Sequence, residues 1–208
     1  IRRTLRAHCA VGAAVTLFDD ARIIGTLAYG AARFESGRPV PVAPDTVFRA
    51  ASVSKHVTAL AVMRLAQAGQ IDLDADVDAY LSCSLRHPAA PKQPVTLRRL
   101  LSHTAGIQDG ASYAAACMEN PPLSALFPGD CFAPVPDRFV YSNLGAGIVA
   151  CVLEGMLGQD FETIMQRALF EPLNVAATFY PQKAGENMAD AFRVLPAQAA
   201  PTLNNALR

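Results

Sequence analysis

The hydrophobic pattern of the chain changes abruptly at residue 52, and this change limits the folds that the chain can adopt. Before it, residues 11–18 and 22–29 are β-prone runs separated by a short acidic turn, which predicts a β-hairpin. After it, apolar residues recur at helical spacing until Gly69, which predicts a helix buried over most of its surface. We therefore expect a hairpin followed by a buried helix.

The rest of the chain is predicted to be mostly helical, with Pro-containing connections. A loop with three prolines precedes the buried helix, at Pro39, Pro41 and Pro44. The other predicted elements are a basic helix, a short strand, a short helix capped by Thr96, a Pro-rich loop and two helices (1–9, 46–49, 97–101, 119–138, 144–157 and 161–170). This order predicts an α+β fold, divided into residues 1–69 and a mostly helical subdomain at 70–208.

Composition excludes several classes of protein. The 208 residues have a formal net charge of zero and 17% charged residues, which argues against a nucleic-acid surface or a polybasic membrane patch. No apolar run approaches the length of a membrane span. No C-x-x-C pair or histidine–carboxylate cluster has metal-ligand spacing, so we expect no metal and no cofactor. Residues 145–150 fit G-x-G-x-x-A, but without a βαβ unit around them they indicate close helix packing.

Ser52 and Lys55 form an S-x-x-K pattern where the predicted helix begins. Residues three apart on a helix share a face, so these side chains are expected to be neighbours. A serine is a poor nucleophile unless a base lies within hydrogen-bond reach. A partly buried lysine can lose its proton, whereas an arginine cannot, and this chain has fifteen arginines but three lysines. The pattern alone leaves open a solvated lysine that merely follows a helix-initiating serine.

Tyr141 and Asn143 lie between the Pro-rich loop and an apolar helix. A phenol has an ordinary pKa of about 10, and a nearby ammonium lowers that pKa toward the range of a usable general base. The amide of Asn143 offers both a donor and an acceptor for a polar substrate. Taken singly, Tyr141 is better explained as a half-buried aromatic, and Asn143 or Ser142 as a helix N-cap.

Five short segments, in a fixed order along the chain, change that interpretation. They are FRAASVSKHVTAL at 48–60, GQIDLD at 69–74, VTLRRLLSHTAGI at 95–107, FVYSN at 139–143 and FEPLN at 170–174. Together they resemble the serine β-lactamase and penicillin-binding family, whose nucleophile motif is S-x-x-K. The Tyr-x-Asn motif is most similar to the class C β-lactamase-like branch. Asn174 stands where that family usually has a glycine.

The resemblance implies a role for each of four residues. Ser52 would be the acylated nucleophile, and Lys55 the amine that helps to activate it. Tyr141 would relay protons to and from the attacking and leaving groups, and Asn143 would hold the substrate. His103 would support its loop rather than take part in catalysis.

The implied fold is the β-lactamase/transpeptidase-like one, an antiparallel sheet flanked by helices plus a mostly helical subdomain. The implied reaction is acyl transfer through an acyl-enzyme on an amide, lactam or ester carbonyl of a small-molecule or peptide substrate. A carboxylesterase of the same fold is the main alternative. A penicillin sensor that acylates without turnover, and a scaffold that has lost catalysis, are further alternatives.

The family's third motif, Lys-Thr-Gly or His-x-Gly on a strand, does not follow residue 143 in this sequence. We therefore expect a second polypeptide to supply it, together with the last strands and the C-terminal helix. Cys117 and Cys131 flank part of the Pro-rich loop and are a candidate disulfide in an oxidising compartment. A periplasmic or secreted location is expected, with a cytoplasmic one open for an esterase.

Overall fold

The computed structural model describes residues 1–20, 22–111, 113, 123–126 and 130–192. By their contacts these residues form two compact units. One contains Ile1–Ala51 with the described residues from Thr178 onward, and the other is Ser52–Ala177. The division expected between residues 69 and 70 stays a prediction. The contact grouping differs from it by placing residues 52–69 with the later helices.

The first unit contains a three-stranded antiparallel sheet. Helix α1 (Arg2–Ala7) leads into β1 (Gly12–Asp19), β2 (Arg22–Glu35) and β3 (Arg38–Pro41), which lie in the order β1-β2-β3. The first two strands are the predicted hairpin, with β2 longer than expected. Gly30 lies where β2 passes from pairing with β1 to pairing with β3. Its φ is +72°, and a Cβ atom there would clash with the carbonyl of Val11, so this position requires a glycine.

Two predictions about short strands were wrong. The proline-containing loop around residue 40 contains β3, in which Pro39 lies opposite Phe34. Proline can occupy such a strand because, within the described sheet, β3 is at the edge and needs no outward N–H. The strand expected at 46–49 is reduced to one parallel bridge between Val47 and Met188.

The second unit is helical. It contains α2 (Val53–Gln67), α3 (Leu97–Leu101), α4 (Asn143–Leu157) and α5 (Phe161–Met165), which continues as a π-helical turn, Gln166–Phe170. Across the described residues no single helix is long and apolar enough to cross a membrane. Only α4 together with Phe161–Phe170 reaches that length and apolarity, as a pair bent by 84°.

Local signals mark the beginnings and ends of these helices where the sequence predicts them. Thr96 accepts a hydrogen bond from the backbone N–H of Arg99 at 3.3 Å and so caps α3. Asp160 caps α5 in the same way, and Gly158 ends α4 with a φ of +62°. Asn174 has a φ of +51°, a left-handed conformation that asparagine tolerates better than most residues. This explains how it can replace the glycine of the resembling motif.

The core of the second unit packs against only one side of α2. Thr58, Ala61, Val62 and Leu65 are its buried residues, and the last two join a core built mainly from the following helices and connections (Leu85, Val95, Leu97, Leu100, Leu144, Ile148, Val152, Leu153 and Ile164 among others). The expectation of a helix buried over most of its surface was therefore wrong. Its other apolar side chains form an exposed stripe (Val53 61%, Leu60 58% and Met63 53% exposed).

The closest backbone contact of α4 occurs at a glycine outside the run 145–150, in which close packing was expected. A Cβ atom at Gly147 would meet nothing within 4 Å, and one at Gly145 would make only ordinary contacts. A Cβ atom at Gly155 would instead lie 2.0 Å from the carbonyl oxygen of Tyr80. The G-x-G-x-x-A run therefore does not mark the tight contact of this helix.

We predict opposite effects for two alanine substitutions on α4. Gly155→Ala should lower the free energy of unfolding by about 1–3 kcal/mol, because the methyl group overpacks against backbone that cannot yield cheaply. Gly147→Ala should raise it by up to about 1 kcal/mol through helix propensity alone. Urea unfolding followed by circular dichroism measures both values. Equal effects of the two substitutions would contradict the packing described here.

Candidate active site

Ser52 is the N-cap of α2, and Lys55 lies one turn further along the same face. Lys55 Nζ is 3.4 Å from Ser52 Oγ, which is long for a hydrogen bond. The preceding residue, Ala51, has a φ of +46°, a conformation that non-glycine residues adopt at some energetic cost. The backbone therefore makes a sharp turn immediately before the serine, whose side chain stays exposed.

Tyr141 makes a short hydrogen bond with the serine hydroxyl. Its phenol oxygen lies 2.7 Å from Ser52 Oγ, and Lys55 Nζ lies 4.9 Å from the centre of its ring. The Lys55 ammonium, followed by the hydrogen bond with Ser52, lowers the pKa of the phenol from its ordinary value. Ser52, Lys55 and Tyr141 are therefore in mutual contact, and of the two candidate bases the tyrosine has the shorter contact with the serine hydroxyl.

Asn143 lies at the beginning of α4, where its amide oxygen accepts a hydrogen bond from Lys55 Nζ at 2.7 Å. It is not the cap of this helix. That position belongs to the buried Ser142, whose hydroxyl accepts from the backbone N–H of Gly145 at 2.9 Å. Because the cap is provided by Ser142, the side chain of Asn143 remains available for the site.

His103 holds the segment that carries Tyr141. Its Nδ1 accepts a hydrogen bond from the backbone N–H of Ser142 at 3.2 Å, and its ring packs against the Tyr141 ring with centroids 4.7 Å apart. Burial and then the nearby charge of Lys55 lower the pKa of His103, which favours the neutral form of the ring. These contacts are those of the supporting residue that the resemblance implies.

Gly106 belongs to the same loop and has a φ of +72°. A Cβ atom there would lie 2.6 Å from the ring of His87, which is itself hydrogen-bonded to the carbonyl of Ala133 at 2.8 Å. A side chain at this position would displace a buried ring. The glycine of the HTAG sequence is thus explained by local packing.

Asp109 is the residue of this site that the sequence analysis missed. Its carboxylate accepts four hydrogen bonds, from the hydroxyl of Ser142, the backbone N–H groups of Asn143 and Leu144, and the side-chain amide of Asn143. These bonds lower the pKa of Asp109 against the opposing effect of burial. Its position three residues after Gly106 was the available signal, but an acidic residue in a loop is too common to be informative.

The candidate disulfide lies outside this geometry. Cys131 is buried, but Cys117 lies outside the described residues, so the disulfide and the location inferred from it stay predictions. Among the residues that the structure describes, no three His, Cys, Asp or Glu side chains converge as metal ligands would.

Comparison with known proteins links the chain to a family. The Beta-lactamase family model matches residues 1–206. The chain is 33% identical over 174 residues to penicillin-binding protein 4 of Amycolatopsis lactamdurans, covering 81% of this chain and 44% of that protein. It is 40% identical over 106 residues to esterase EstB of Burkholderia gladioli, covering 50% and 26%. The chain thus spans less than half the length of these curated relatives.

Solved structures share the fold. EstCE1, described as a hydrolase with promiscuous acyltransferase activity, superposes with a TM-score of 0.78 at 26% identity, covering 94% of this chain and 55% of that one. Structural neighbours with TM-scores of 0.73–0.78 have the β-lactamase/penicillin-binding fold. The expected fold class is therefore confirmed, and the chain belongs to the Beta-lactamase family.

Proposed function

We propose that this protein is a serine hydrolase that transfers acyl groups through an acyl-enzyme on Ser52. The observation that carries the proposal is the 2.7 Å contact between Ser52 Oγ and the Tyr141 phenol, whose pKa is lowered by the adjacent Lys55. A hydroxyl next to a base of lowered pKa meets the requirement for an activated nucleophile. Similarity to a penicillin-binding protein and to an esterase supports the same reaction class.

In the proposed acylation, Ser52 Oγ forms a bond to the carbonyl carbon of the substrate while its proton passes to the Tyr141 phenolate oxygen. The carbonyl π-electrons move onto oxygen, and the resulting oxyanion accepts a hydrogen bond from the backbone N–H of Ser52 near the helix N-terminus. When the tetrahedral intermediate collapses, the bond to the leaving group breaks. Tyr141 returns the proton to the departing amine or alcohol.

Deacylation repeats these steps with water in place of the serine hydroxyl. A water molecule gives a proton to the Tyr141 phenolate and attacks the acyl carbon, and the carbon–Oγ bond then breaks. Ser52 recovers its proton from the phenol. Lys55 donates a hydrogen bond to Asn143 and stabilises the phenolate by its charge.

The substrate class has two candidates. An amide or lactam carbonyl corresponds to the penicillin-binding relative, and an ester carbonyl to esterase EstB. The identity to EstB is higher but extends over fewer residues. Parallel turnover assays with a lactam and with an activated ester of similar size separate the two. A stoichiometric burst without turnover would instead identify the sensor alternative.

We predict that Ser52→Ala abolishes covalent labelling by a fluorophosphonate. Labelling of the unmodified chain should add one phosphonyl group, located on Ser52 by peptide mass spectrometry. Ser54→Ala is the matched control, because it removes a hydroxyl from the same helix and should leave the labelling rate within a factor of about two. Undiminished labelling of Ser52→Ala would exclude this serine as the nucleophile.

We also predict that the charge of Lys55 sets the ionisation of Tyr141. Replacing it in Lys55→Met should raise the pKa of the phenol toward about 10, because the stabilising cation is lost. Ultraviolet absorbance of the phenolate measures this titration, with Tyr141→Phe as the blank. A reaction that needs the phenolate should accelerate as the pH rises through this pKa, so the acid limb of the ester-hydrolysis profile should move to higher pH in Lys55→Met. An unchanged phenol titration would contradict the assignment.

We further propose that another polypeptide segment, carrying Lys-Thr-Gly or His-x-Gly on a strand, pairs with β1. In the described sheet β1 pairs with β2 alone, and an open strand edge tends to acquire a partner. Large apolar side chains near the hairpin turn are also exposed (Leu17 57%, Phe18 73%, Ile23 71% and Ile24 67%). Both features support a further strand on this side of the sheet.

Hydrogen exchange tests the added strand. In an antiparallel ladder, alternate amides of β1 face away from β2, so these should exchange rapidly in the 208-residue chain. They should become protected in a longer form of the protein that includes the third motif. The amides of β1 that face β2 are the internal control and should exchange slowly in both forms. Slow exchange of both sets in the 208-residue chain would contradict the proposal.

A further inference from the structure

The carboxylate of Asp109 lies against the first turn of α4, and both of its oxygens are fully engaged. Oδ1 accepts from the Ser142 hydroxyl and from the Leu144 N–H, each at 2.9 Å. Oδ2 accepts from the backbone N–H of Asn143 at 3.0 Å and from its side-chain Nδ2 at 2.7 Å. A carboxylate has about four lone-pair positions for such bonds, so this one is saturated.

These bonds decide how the Asn143 amide is oriented. An ionised carboxylate can only accept hydrogen bonds, so the group that faces Asp109 must be the NH2 of the amide. The amide oxygen then points the other way, where it accepts from Lys55 Nζ at 2.7 Å. The reversed amide would bring its NH2 toward the ammonium, and two donors would face each other.

We propose that Asp109 is a positioning residue of the acyl-transfer site, which fixes the Asn143 amide so that its oxygen holds the Lys55 ammonium beside Ser52 and Tyr141. This inference rests on the proposed function for its catalytic consequence. Asp109 is not a catalytic residue, because it contacts neither the nucleophile nor the phenol. Its influence passes through one side chain, that of Asn143.

The capping of α4 provides a way to separate this role from a structural one. Asp109 binds two backbone N–H groups at the beginning of the helix, so any substitution there also removes helix-stabilising contacts. Ser142 keeps its own bond to Gly145, so the helix retains a cap and the variants should fold. A test must therefore follow the Asn143 amide itself.

The first experiment measures the side-chain amide of Asn143 by 15N NMR, with the resonance assigned by its loss in Asn143→Leu. In the unmodified chain its protons should exchange slowly with water, and in Asp109→Ala at least tenfold faster. Asp160→Ala is the matched control, because it removes an N-cap carboxylate from α5 and should leave this resonance unchanged. Asp109→Leu, whose side chain likewise offers no acceptor, replaces Asp109→Ala if the latter does not fold. An unchanged exchange rate in the Asp109 variant would overturn the proposal.

The second experiment is a double-mutant cycle on the rate constant for acylation of Ser52 by an activated ester. Asp109→Ala should lower this rate constant at least tenfold when Asn143 is present, and less than twofold in the Asn143→Ala background. An equal loss in both backgrounds would show a structural effect and overturn the inference. If Ser52 reacts with neither ester nor lactam, the proposed function fails, while the exchange rate of the amide still decides whether Asp109 orients it.

Discussion

The ammonium of Lys55 is the charge around which the site is arranged. It donates to the amide oxygen of Asn143, lies beside the ring of Tyr141 and contacts the hydroxyl of Ser52. The same charge lowers the pKa of Tyr141, and it adds to the effect of burial in lowering the pKa of His103. Because like charges are costly at this distance, a neutral histidine is the form compatible with the ammonium. The negative charge of Asp109 lies on the far side of Asn143 and completes the arrangement.

Much of this could be predicted from the sequence, since several signals were local. The change of pattern at residue 52, the capping residues Thr96 and Asp160, and the glycine at 158 specify elements within a few residues of themselves. The resemblance across five segments then brought together Ser52, Lys55, Tyr141 and Asn143. The structure places these four in contact, and their catalytic roles remain predictions.

What the sequence could not indicate depends on tertiary neighbours. The apolar pattern of α2 suggested burial on most sides, yet Leu60 and Met63 are exposed, because apolar periodicity does not show which faces have a partner. Gly155 must be a glycine because of the nearby carbonyl of Tyr80, which lies seventy-five positions earlier in the chain. Asp109 likewise acquires its importance only from Ser142 and Asn143, more than thirty residues away.

Separation along the chain also has a consequence for the order in which the site forms as the chain folds. Ser52 and Tyr141 are 89 positions apart, and loop closure over such a distance costs entropy before any contact compensates for it. Helices α2 and α4 depend on local signals and can begin to form early, whereas Ser52 meets Tyr141 only after the intervening core has packed. Helical structure should therefore return before the contact between Ser52 and Tyr141 during refolding, so this contact reports on the completed packing of the unit rather than on its helices.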